Sequence, residues 1–247
     1  MAARGLGALR ARRPPWIDAL LVGWLAWGFD TINNLAPVRQ GLAERHAGRV
    51  LDLERAHELD VELALNRWLR HRHALSEIVV LWYENVHAIV TFAVVGALWW
   101  RRSDPGGRLR IALVVVNLVA LAAFWGFPVA PPRMLVAHGY RDLVASVHDA
   151  GIWPAGATAL NSNQLTALPS LHIAWAVWSS IAVWRLTRRR WARAAAVAYP
   201  LVTSYAVMAT ANHWLADVVT GGLLTAALVA AVTVVAKRWE DRAALRA

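Results

Sequence analysis

The sequence predicts an all-α, polytopic membrane helix bundle with six transmembrane helices and additional interfacial amphipathic helices. Three observations lead there. The chain is 58% hydrophobic and 17% charged, with a mean hydropathy of +0.38, whereas soluble chains run at about 45–50% apolar and about 25% charged. The apolar residues gather in blocks of about 20 residues, the length that crosses a bilayer. Arginine-rich loops separate the blocks, which is how membrane topology signals are placed.

The 247 residues read as one membrane-embedded domain, 1–247, with no internal repeat. Residues 1–15 hold four arginines and form a basic cytoplasmic tail. The block 16–35 is long enough to span and lacks the short apolar run and small-residue cleavage site of a signal peptide, so it is a retained first helix. In the segment 37–73, Leu51, Leu59, Leu63 and Leu65 recur among Glu54, Arg55, Glu58, Asp60 and Glu62 at roughly helical spacing. That pattern fits an extracytoplasmic amphipathic segment, lying either on the membrane surface or as a solvated helical cap over the bundle. Blocks 75–100 and 109–127 are the second and third spans. The stretch 128–167 is rich in Pro, Gly, Asn and Ser and does not span; it opens a motif-bearing region, 128–222. Blocks 168–186, 192–211 and 214–236 complete the six, and a turn near Asn212 divides the last two.

The net charge of +10 points away from nucleic acid because of where it sits. With both termini cytoplasmic, the inside segments hold 17 of the 26 basic residues. Seven of the other nine lie in 37–73 beside six acids, and the last two are Arg133 and Arg141. Trp16, Trp99, Trp100, Trp184, Trp191 and Trp239 fall at the same cytoplasmic interface, where indole rings prefer to lie. The chain has no cysteine, which excludes disulfides, thiolate catalysis and cysteine metal sites. A single lysine beside 25 arginines suggests a GC-rich genome, and the expected location is a bacterial plasma membrane.

Three short motifs map to helix ends on the extracytoplasmic side: Pro131-Pro132-Arg133, Pro169-Ser170-Leu171-His172, and His213 through Asp217. Ionisable groups at membrane depth are costly and default to a functional reading. His213 and Asp217 are four apart and share a helical face, so the carboxylate can fix the imidazole tautomer and leave the other nitrogen free to attack. Ser170 stands at a helix N-terminus, which favours an anion. Arg133 offers a planar fork to phosphate oxygens, and His172 can protonate a leaving oxygen. These parts suit phosphoryl transfer through a phosphohistidine.

At these residues the chain resembles the type 2 phosphatidic-acid phosphatase and haloperoxidase superfamily. The resemblance covers roughly 127–222 in its motifs and the six spans in layout. It implies His213 as nucleophile, Asp217 as its orienter, His172 as general acid, and Arg133, Ser170 and Leu171 as phosphate-binding positions. Leu171 stands where the phosphatases carry glycine, Ala206-Val207 where they carry Ser-Arg, and Gly126 where a lysine precedes the arginine. Pro-Ser-Leu-His without the second arginine is similar to the inositolphosphotransferase branch, which contains fungal inositol-phosphorylceramide synthase and moves a phospho-headgroup between lipids. Fewer cations favour a diester-like substrate over a phosphate monoester.

The expected activity is therefore a metal-independent lipid phosphotransferase or phosphatase, needing no cofactor, whose partners are a lipid phosphate or phospholipid and the bilayer. Asn163, Glu84 and His87 are possible headgroup residues. Glu84 and His87, three apart, also fit an interhelical polar network, and Asn163 and Gln164 a solvated loop. Other readings stay open: a metal site built from His172, His213 and Asp217, a proton-coupled transporter or flippase, and a non-catalytic scaffold. The arginine speaks for an anion over a metal, and the missing repeat speaks against a transporter.

Overall fold

A computed structural model describes residues 20–21, 23–101, 104, 107–150 and 164–245. The basic tail, the start of the first predicted span and Asn163 lie outside the described residues. Helix α1 joins a wide turn, Trp24–Gly28, to Phe29–Asn34. Next come α2 (Gln40–Ala56), α3 (Glu62–Arg70), α4 (His73–Trp100) and α5 (Arg108–Gly126). The chain continues through α6 (Leu143–Asp149), α7 (Leu171–Leu186), α8 (Arg190–Ala209) and α9 (Leu215–Ala244). No strand is formed among the described residues; one isolated parallel bridge pairs Val129 with Thr166.

Among the described residues, three helices are long and apolar enough to cross a membrane: His73–Trp100, Arg108–Gly126 and Leu215–Trp239. Two other predicted spans, α7 and α8, are helical but fall short of that standard. α7 has 16 residues, or about 24 Å at 1.5 Å per residue. α8 carries Arg190 and Arg193 in its first turn and Pro200, Thr203 and Ser204 further along, which dilutes its hydropathy.

α7 is the axis of the bundle, packed against α4, α5, α8 and α9. Its Trp178 is wholly buried and donates its indole N–H to the Leu109 carbonyl at 2.8 Å. Trp175 donates to Asn117 Oδ1 at 3.3 Å, and Thr91 and Ser179 pair at 3.4 Å. Around these, Leu98, Leu113, Val116 and Ala182 close an apolar core. Outward-facing Ile89, Leu201 and Leu223 remain exposed, as lipid-facing side chains do in a chain whose backbone polar groups are satisfied within helices.

α2 and α3 fold as a cap over the end of the bundle that carries the motifs. The Ala130 N–H donates to the Ala43 carbonyl at 3.1 Å. His46 stacks on Phe127 at 3.8 Å and bonds the Pro128 carbonyl through Nδ1 at 2.8 Å. Asn66, fully buried, donates to the carbonyls of Ala209 (2.9 Å) and Arg141 (3.0 Å) and accepts from the Arg141 N–H. The buried side of the cap includes Glu54 and Glu62, so two of its acids are not part of a solvated face.

A wide turn at Trp82–Val86 interrupts the register of α4. Such a turn rotates the C-terminal part of a helix relative to ideal geometry, and Glu84 and His87, on either side of its end, take different partners. Glu84 reaches His148 of α6 (2.7 Å), while His87 bonds the Tyr83 carbonyl (3.1 Å) and lies against His172.

Candidate active site

The site is assembled where α8 ends and α9 begins. The carbonyl of Val207 accepts from the N–H groups of both Asn212 and His213 at 3.0 and 3.1 Å. Ala211 takes a left-handed φ of 59°, a conformation that is unfavourable for a residue with a Cβ and that recurs at functional sites. Asn212 braces the same turn by donating to the carbonyl and the hydroxyl of Thr210 at 3.2 and 3.0 Å. The outcome is a sharp corner that delivers His213 just before the first turn of α9.

His213 is almost entirely buried. Its Nδ1 lies 2.9 Å from the Ala167 carbonyl and 3.3 Å from Asp217 Oδ2. A carbonyl only accepts, so Nδ1 carries the proton and Nε2 keeps its lone pair. The i,i+4 spacing assigns that orientation to Asp217 alone. In the structure the shorter bond comes from the backbone of the loop before α7, and Asp217 Oδ2 makes its own shorter bond with the Trp214 N–H at 2.8 Å.

His172, second residue of α7, faces His213 edge-on with ring centroids 5.5 Å apart. It is clamped by Tyr83, stacked at 4.5 Å, and by His87 at 4.3 Å. Ser170 is fully buried and caps α7, its hydroxyl accepting from the Ile173 N–H at 3.4 Å. Its backbone N–H donates to the Asp217 carbonyl at 3.1 Å. α9 can come this close because residue 221 is glycine: a Cβ there would lie 2.5 Å from the Ser170 carbonyl oxygen. Leu171 packs beside the apolar cluster of Phe29, Ala120 and Phe124, so what it offers an anion is backbone and not side chain.

Arg133 is tied to the same corner. Its backbone N–H donates to the Ala211 carbonyl at 2.9 Å. Its guanidinium donates to Asn212 Oδ1 and, at 3.4 Å, to Gln164 Oε1, and it pairs with Asp142 at 3.2 Å. The structure thus brings His172, Ser170, Arg133, His213 and Asp217 to one end of the bundle. His87 adjoins the cluster through His172, and Glu84 adjoins it one residue along from Tyr83. Among the described residues no three His, Asp or Glu side chains form a group able to hold a metal ion.

Sequence reasoning missed the carboxylates that close the first turn of α9. Ala216 N–H donates to Glu54 Oε1 at 2.8 Å, and Leu215 N–H donates to Glu62 Oε1. Burial pushes Glu54 up to about 8, and it pushes Glu62 upward as well. A signal was present in the pattern. Glu54 follows the buried Leu51 by three, and Glu62 precedes the buried Asn66 and Leu69 by four and seven; at those intervals the acids share the buried stripe.

The fold and this cluster define a membrane helix bundle with a histidine-based site at one end. A family model described as the PAP2 superfamily matches residues 48–232, and the chain belongs to that superfamily. No curated protein and no solved structure matches the chain. Superfamily members are generally phosphatases and phosphotransferases acting on lipid-like substrates, and membership supports an enzyme here.

Proposed function

We propose that the chain is a lipid phosphotransferase or phosphatase working through a phosphohistidine at the extracytoplasmic face, with six spans and both termini cytoplasmic. The observation that carries this is His213, whose Nδ1 proton is directed to Ala167 and Asp217 while Nε2 stays available beside His172. Nε2 attacks phosphorus, the P–N bond forms, and the P–O bond to the leaving group breaks as His172 gives its proton to the departing oxygen. An acceptor hydroxyl then attacks the phosphohistidine and returns a proton to His172, and the P–N bond breaks. Arg133 and the backbone at the start of α7 serve the phosphate oxygens.

Transfer to an alcohol is favoured over release to water. Arg133 is already engaged by Asp142, and Val207 stands where a second arginine would assist. A doubly charged monoester would therefore be poorly neutralised, whereas a diester headgroup carries one charge less. Phosphatase activity is the alternative within the same mechanism.

The test is single-turnover chemistry on the purified chain with phosphorus-labelled lipid phosphate and phospholipid. Wild type is expected to form an acid-labile, base-stable phosphoprotein and to be inhibited by orthovanadate, with chelators having no effect. H213A should be folded and inactive, and its full activity would overturn the mechanism. Label moving to lipid only when an alcohol acceptor is added supports transfer, and release of inorganic phosphate without one supports hydrolysis.

A further inference from the structure

We infer that Glu54 and Glu62 are positioning residues for His213: from the α2–α3 cap they clamp the first turn of α9 and share one proton between them. This rests on the reading of His213 as the nucleophile. Three consecutive N–H groups stand immediately behind His213, and each is taken by a carboxylate oxygen: Trp214 by Asp217, Leu215 by Glu62, and Ala216 by Glu54. A helix start needs its free donors satisfied, and one capping side chain from the local sequence commonly does it. Here two of the three caps come from the far side of the sequence, 153 and 162 residues away. They tie the corner that carries His213 to the cap and leave it little freedom to swing.

The need for a shared proton comes from the second oxygens. Oε2 of Glu54 and Oε2 of Glu62 are both buried, and no N–H or O–H donor reaches either of them among the described residues. The two side chains bond the adjacent N–H groups of Leu215 and Ala216, which sets the two carboxyls beside each other. Two adjacent buried carboxylates with bare oxygens are costly, and a proton held by Glu54 and donated to Glu62 satisfies both. The rise of Glu54 to about 8 has burial as its largest cause, with Glu62 and Asp217 adding to it.

The charged and titratable groups facing the pair are few. Asp217 faces it from α9, and Tyr140 from the chain after α5. Arg55 and Asp60 of the cap are turned toward each other at 3.6 Å. A carboxyl with a raised value favours the folded state fully below the ordinary 4.5, and that contribution is lost as pH climbs through about 8. Above that point both acids are charged, they repel, and the clamp on His213 loosens.

The full-length chain in detergent micelles provides two independent readouts. Infrared spectroscopy should show a protonated-carboxyl stretch near pH 7 that titrates with a midpoint near 8 and is missing from E54Q. No turnover is needed for this measurement. With dioleoyl phosphatidate or phosphatidylinositol as probe, E54Q keeps the acceptor oxygen for Ala216 and replaces the shared proton with a fixed N–H. It should stay within about threefold of wild-type kcat, with the alkaline limb of its pH profile moved up by at least about one unit. E54A loses both features and should drop kcat at least about tenfold with KM within about twofold. Wild type without the band, or E54Q retaining it, would overturn the shared proton. An E54A protein with wild-type kcat and wild-type pH profile would overturn the positioning role. If neither lipid is turned over, those lipids are not its substrates, and the clamp is judged by nitrogen-15 NMR of the His213 ring: a shift in E54A sustains it and an unchanged spectrum overturns it.

Discussion

His213 is held in one tautomer by two acceptors. Replacing Asp217 by Asn leaves the Ala167 carbonyl as the stronger partner at 2.9 Å, so the tautomer persists. It removes the negative charge that stabilises the imidazole as it takes on positive character during attack. D217N is therefore expected to bind substrate normally and to lower kcat by at least about tenfold, with KM within about twofold; steady-state kinetics on a phospholipid probe checks this. The i,i+4 pairing of His213 and Asp217 was visible in the sequence because helical spacing is regular. The Ala167 carbonyl was not, because a backbone acceptor has no residue type to announce it. Asp142 was equally hidden as the partner of Arg133, since a loop brings it back across 9 residues of irregular chain. Glu54 and Glu62 were read as charge balance for nearby arginines, because acids in an amphipathic helix are usually solvated.

At the scale of elements, the fit of α9 against the start of α7 sets the distance between His172 and His213. Gly221 is where that fit is tightest. G221A places a methyl 2.5 Å from the Ser170 oxygen, and backbone cannot yield as a flexible side chain would. The helices must separate, at a cost of about 1–3 kcal/mol. A lowered unfolding midpoint in detergent, together with reduced kcat, is the expected result; an unaltered midpoint would mean that α9 shifts without strain. Helices α4, α5 and α9 were legible as apolar blocks of sufficient length. α7 and α8 were legible as helices but are shorter or more polar than spanning segments. The wide turn in α4 left no readable mark, because Trp82 through Val86 has no proline or glycine to signal a change of register.

At the scale of the whole molecule, the segment between α7 and α8 and the motifs occupy opposite ends of the bundle. The segment between α7 and α8 holds Arg188 and Arg189, and the motif end holds Val136 beside the site. With no native cysteine, sidedness can be read directly. V136C should react with a membrane-impermeant maleimide in intact cells, while R189C should react only after the membrane is permeabilised. The reverse pattern would place the site in the cytoplasm and change the substrate pool available to it. Orientation is the expectation that the basic loops carry, and this labelling is its test. The cap was the least readable, because its hold on the bundle depends on buried polar side chains that include His46, Glu54, Glu62 and Asn66.

That hold has a consequence for how the protein is made. Glu54 and Glu62 enter the chain early, and the N–H groups they bind belong to residues 215 and 216. Until the final helix has been synthesised and inserted, the acids lack those partners and the corner bearing His213 does not exist. The nascent chain therefore cannot brace the His213 corner from the cap until its last helix has docked.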